Sequence, residues 1–72
     1  MKKPKPIQPI GQRIAAARKA AGFTQAALGE EIGVATATVG RWECGIIDPP
    51  ASTLDRIAAA TGCRLELVQQ KS

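Results

Sequence analysis

Apolar residues recur along this chain in short runs at helical spacing, and most runs are closed by a glycine. Ile10, Ile14, Ala17 and Ala21 fall three or four residues apart, which predicts a first helix over Ile10–Ala21 with one buried face. Gly22 follows where a glycine commonly stops a helix. Phe23, the only phenylalanine, reads as a plug between helices. Thr24 is a residue type that caps a helix start with its hydroxyl, and it opens a predicted second helix through Ile32 with Ala27, Leu28 and Ile32 inward. Gly33 makes a turn, in which Val34 is expected to be buried. A third helix is expected from Ala35 to Cys44, ended by Gly45, with Val39 and Trp42 as its buried stripe.

Beyond it, Ile46-Ile47-Asp48-Pro49-Pro50 cannot be helical at its end, because a residue before proline avoids the α region. Ser52 is expected to open a fourth helix, with Asp55 three residues on completing a capping-box-like pair. Leu54, Ile57, Ala58 and Thr61 then share a face, and Gly62 stops the helix. Cys63, Leu65 and Leu67 alternate with Arg64, Glu66 and Val68, which suits a short strand over residues 63–68; a final helical turn is the other option. The three prolines in residues 1–9 forbid a helix, so that segment is expected to be an extended basic arm. The pattern predicts an all-α fold: a flexible arm (1–9), one domain (10–68) and a short tail (69–72).

Charge narrows the classes of partner. The net charge is +4, and the first 23 residues hold six basic side chains (Lys2, Lys3, Lys5, Arg13, Arg18, Lys19) and no acidic one. Such a one-sided field favours polyanions. Lys2, Lys3 and Lys5 are candidate arm contacts to phosphates or a minor groove; a solvated tail is the plainer alternative. The two cysteines, with no histidine, cannot complete a structural zinc site, so no metal is expected. No segment approaches the ~20 apolar residues that span a bilayer, and no apolar run follows the N-terminal lysines. The expected setting is cytoplasmic, with no membrane partner and both thiols reduced. An enzyme is not expected: no nucleophile has a nearby base, no glycine loop cradles phosphate, and Glu30 and Glu31 diverge on their helix rather than forming an acid–base pair. No cofactor is implied.

The stretch Thr24–Gly45 reads as two short helices joined at Gly33, the second with small, polar and basic residues on its outer face. Residues 10–68 resemble the phage-repressor and Cro type of helix-turn-helix domain, also called the xenobiotic-response-element family. The carriers are Thr24-Gln25, Leu28, Gly29, Gly33-Val34, Val39, the Trp42-Glu43-x-Gly45 run and Pro49. The resemblance implies a lambda-repressor-like bundle of four to five short helices. It also implies sequence-specific binding of double-stranded DNA, as a homodimer on a palindromic operator. Thr36, Ala37, Gly40, Arg41 and Cys44 form the face offered to DNA, opposite Val39 and Trp42. Thr36 can exchange a hydrogen bond, Ala37 offers apolar contact, and Arg41 can grip a guanine at O6 and N7 or hold a phosphate. Gly40 weakens a helix, which suggests close approach of DNA to the backbone there; a helix packed well enough to tolerate a weak residue is the alternative. Trp42 is expected in the core, with base stacking as the alternative.

By the same resemblance, Thr24 and Gln25 lie at the DNA, Gln25 bonding a phosphate and buttressing the start of helix three. Glu43 is expected to pair with Arg18, a surface glutamate without a partner being the alternative, and Gly29 to stay small where helices two and three cross. Departures are visible. Ala35 stands where relatives often place a capping hydroxyl, and Cys44 and Ile46 where many carry polar or basic residues. Of Ile46 and Ile47, one is expected in the core and the other as an exposed partner contact. The leading functional expectation is a transcriptional repressor. The alternative is an antitoxin that binds a toxin protein and represses its own operon, motivated by the tail with Leu65 and Leu67, which is similar to a short strand that some antitoxins pair across a dimer; for these two leucines, closing the monomer's own core is the slightly favoured alternative to dimer pairing.

Overall fold

The computed structural model describes residues 9–63. Lys2, Lys3, Lys5, Leu65 and Leu67 lie outside them, as does the strand expected over residues 63–68 apart from Cys63, which is in neither helix nor strand. Four helices follow one another: α1 (Ile10–Ala20), α2 (Gln25–Ile32), α3 (Thr36–Cys44) and α4 (Ala51–Thr61). This is the expected all-α architecture.

The helices surround one apolar core. Ile14 and Ala17 of α1, Leu28 and Ile32 of α2, Val39 and Trp42 of α3, and Leu54 and Ile57 of α4 are buried together. Each wholly buried isoleucine, leucine or valine among them contributes about 1.5–3 kcal/mol relative to exposure. Ile10, Phe23, Val34, Ala58, Ala60 and Cys63 are partly buried against this cluster. Phe23 thus packs at the link between α1 and α2. Val34, expected buried, is only half-covered. α3 packs on both α1 and α2, and α4 closes the other side of the same pair.

Two close approaches depend on glycine. A Cβ on Gly29 would meet the Val34 carbonyl oxygen at 2.6 Å, so α2 and the turn into α3 can lie this close only without a side chain there. A Cβ on Gly11 would collide with the Trp42 carbonyl oxygen and approach the Glu43 carbonyl oxygen to 2.9 Å. Gly11 therefore sets the spacing of α1 and α3, a role that periodicity gave no hint of. Gly33, at φ 80°, makes the turn between α2 and α3, its N–H donating to the Gly29 carbonyl.

Helix ends show where local signals decide and where they do not. Thr24 caps α2: its hydroxyl accepts from the Ala27 N–H at 3.0 Å. α3 begins after Ala35, which offers no side-chain cap bond. α1 stops one residue short of expectation, so Ala21 is an exposed C-cap and not a fourth core position. The chain turns out there as the Phe23 N–H donates to the Arg18 carbonyl at 2.9 Å. The capping pair expected of Ser52 and Asp55 does not form. α4 starts at Ala51 after Pro50, whose carbonyl accepts from the N–H groups of Thr53 (2.9 Å) and Leu54 (3.0 Å). Ser52 consequently falls inside the first turn. Ile46 and Ile47 are both exposed, at 68% and 44%, so neither joins the core. The Ile46 N–H closes the end of α3 on the Arg41 carbonyl at 3.0 Å, which holds that loop outward, and Pro49 is the loop residue that becomes buried.

Candidate nucleic-acid interface

α3 is divided lengthwise. Val39 is 0% exposed and Trp42 3%, so the indole belongs to the core rather than to a base-stacking platform. Thr36, Ala37, Arg41 and Cys44 are all exposed on the outer side, and Gly40 is half-buried between the two faces. The chemistry on offer is a hydroxyl, a methyl, a guanidinium and a thiol along nine residues of helix. Arg41 makes no ion pair with the other described residues, so its donors are open to solvent. α3 also lacks any acidic residue in its first turn, which leaves the positive end of its dipole uncompensated by side chains.

Behind the last turn of α3 lies a polar cluster. Arg18 of α1 donates from Nε to Glu43 Oε2 at 2.7 Å and from Nη2 to Glu43 Oε1 at 3.1 Å. Its Nη1 donates to the Phe23 carbonyl at 2.9 Å, so one guanidinium joins α1, the α1–α2 link and α3. The side chains of Arg18 and Glu43 are only 12% and 8% exposed. Burial by itself would push the Glu43 carboxyl up. Hydrogen bonds from Arg18 and Gln25, and the charges of Arg18 and Lys19, outweigh it and hold the group below its ordinary value. The hydrogen bond to Glu43 raises the Arg18 guanidinium above its usual value, against an opposing effect of burial.

Gln25 departs from its expected place at the start of helix three. Its Nε2 donates to Glu43 Oε1 at 2.9 Å, beside the last turn of α3. The crossing of the two helices accounts for this: the first residue of α2 lies over the C-terminal half of α3, and its carboxamide sits next to Gly40. Two structural residues escaped the sequence reading. One is Gly11. The other is Arg56 of α4, whose Nη2 donates to the Ile32 carbonyl at 2.7 Å and so satisfies the end of α2 with a cation. A lone arginine on a polar helix face carries no signal for such a long-range bond. Among the described residues, no group of three or more histidine, cysteine or acidic side chains could hold a metal ion. No helix among them is long and apolar enough to cross a membrane.

A family model described as helix-turn-helix matches residues 14–68. In solved structures, the chain is similar to the P22 c2 repressor protein crystallised with synthetic operator 9T in the presence of Tl+. That pair is 34% identical, with 81% of this chain and 88% of the other covered, and a TM-score of 0.73. It is likewise similar to the solution structure of the DNA-binding domain of the P22 c2 repressor: 33% identical, 83% and 79% covered, TM-score 0.76. No curated protein sequence gives a significant match. The chain belongs to the Cro/C1-type helix-turn-helix family of DNA-binding transcriptional regulators.

Proposed function

We propose that this chain is a sequence-specific repressor that binds a palindromic operator in double-stranded DNA as a homodimer, and that it acts by occluding a promoter. The observation that carries this reading is the split of α3, whose outer residues are exposed while Val39 and Trp42 hold it from behind. The likeness to a repressor whose structure was determined with operator DNA supports it. In this reading Thr36 and Ala37, near the start of α3, meet base edges in the major groove. Arg41 grips a guanine or a phosphate further along. Gly40 and Cys44 complete the facing surface, and Thr24 and Gln25 at the start of α2 lie against the sugar–phosphate backbone. Lys2, Lys3 and Lys5 add arm contacts. Two recognition helices about 34 Å apart would enter successive major grooves.

Selection of binding sites from random duplexes, repeated at two salt concentrations, tests the reading. The expected result is an inverted repeat whose affinity falls steeply with salt. Failure to enrich any sequence refutes it. The exposed adjacent pair Ile46 and Ile47 favours a contact with protein, either the second protomer or a toxin. Purification from the native host separates these: an antitoxin brings a stoichiometric toxin, whereas a repressor dimer brings a second copy of itself.

A further inference from the structure

Seven glycines punctuate the chain, and all but one have a reason inside the fold. Gly22, Gly33, Gly45 and Gly62 have φ between 74° and 83°, where other residues are strained. Gly11 and Gly29 lie where a Cβ would run into the backbone of another segment. Gly40 has neither reason. It lies in the middle of α3, and a Cβ there would find only the Gln25 side chain, with Oε1 at 3.7 Å and Nε2 at 4.0 Å. Those are ordinary van der Waals distances, so an alanine fits without displacing anything. Alanine is also the better helix former. By the physics of the folded chain alone, residue 40 is the wrong residue.

We infer that Gly40 is required by the DNA and not by the fold. The duplex comes into van der Waals contact with the α3 backbone at this residue, in the space a Cβ would fill beside the Gln25 carboxamide. A methyl there would lie over that carboxamide, which Glu43 holds in place through Nε2, and would hold the duplex off both groups. Gly40 thus fixes how deeply α3 seats, and it acts by having no side chain. The inference rests on the reading of this chain as a duplex-binding protein.

The consequence is a substitution with opposite effects on folding and binding. Gly40→Ala in the full chain should raise the melting temperature by about 4–8 °C, as expected for relieving a mid-helix glycine in a domain of this size. It should also weaken binding to the selected duplex at least tenfold. The measurements are thermal melting by circular dichroism and fluorescence anisotropy with the selected duplex. Wild-type affinity in a properly folded Gly40→Ala chain overturns the inference and leaves the duplex-binding reading intact. A lowered melting temperature also overturns it, because the glycine would then serve the fold. If the wild-type chain binds no duplex at all, both readings fall.

Discussion

Replacing Glu43 by alanine should destabilise this domain by about 3 kcal/mol: stranding one member of a fully buried ion pair costs ~3–5 kcal/mol, and this pair is only partly buried, which places it no higher than the lower end. The geometry sets that choice. Glu43 accepts three hydrogen bonds, two from Arg18 and one from Gln25, and both ionic side chains are nearly covered. Without the carboxylate, the Arg18 guanidinium keeps its bond to the Phe23 carbonyl and a 12% window to water, which softens the loss. A 72-residue chain has a total stability of about 4–11 kcal/mol by ordinary per-residue values, so the change consumes a large fraction of it. The melting temperature should fall by roughly 12–24 °C. Urea unfolding of Arg18→Met, Glu43→Leu and Arg18→Met/Glu43→Leu makes the test, with Glu43→Ala measured beside them. The two single variants should each lose about 3 kcal/mol, while the double, which removes both charges and restores apolar volume, should lie within about 1–2 kcal/mol of wild type. A Glu43→Ala chain that unfolds within ~0.5 kcal/mol of wild type, the spread of ordinary surface substitutions, would refute the reasoning. So would a double variant whose loss equals the sum of the singles.

Three further outcomes are expected. Gly11→Ala should destabilise by about 1–3 kcal/mol or more, because the added methyl meets the rigid α3 backbone rather than a side chain that can move; urea unfolding measures it. Acid should weaken the fold through Glu43. Its carboxyl is held below its ordinary value in the folded state, so the stability it brings is complete above the unfolded value near 4.3 and disappears as pH falls through the folded one. Urea midpoints from pH 6 down to pH 2 should fall more steeply in wild type than in Glu43→Gln. Arg41→Ala should leave the circular dichroism spectrum unchanged, since the side chain is exposed and unpaired among the described residues, yet cut duplex affinity roughly tenfold to a hundredfold. Unchanged affinity in a gel-shift titration would remove Arg41 from the reading face.

What the sequence made legible is mostly what neighbouring residues decide among themselves. Thr24 capping α2, the glycine stops, and the Val39–Trp42 stripe all lie within one turn of the feature they specify. Ser52 misled for the same local reason. Ser-x-x-Asp has the form of a cap, but the carbonyl of Pro50 had already started the helix. Gly11, the Arg56 bond to Ile32 and the turn of Gln25 toward Glu43 were illegible because each depends on a partner 18 or more residues away. Ile46 and Ile47 show the limit of hydrophobicity as a guide to burial. Only the outward path of the loop after α3 decides that both face water.

The lengthwise division of α3 has a consequence for how such a protein diversifies. The side chains that keep the helix in its seat are not the ones it shows to the outside, and Thr36, Ala37, Arg41 and Cys44 contribute nothing to the interior. Those four positions can be rewritten at little thermodynamic cost, so under the proposed reading one scaffold could be retargeted to new sequences by surface changes alone. Gly40 stands outside that editable set: on the inference drawn above, even a methyl there would alter binding to a duplex.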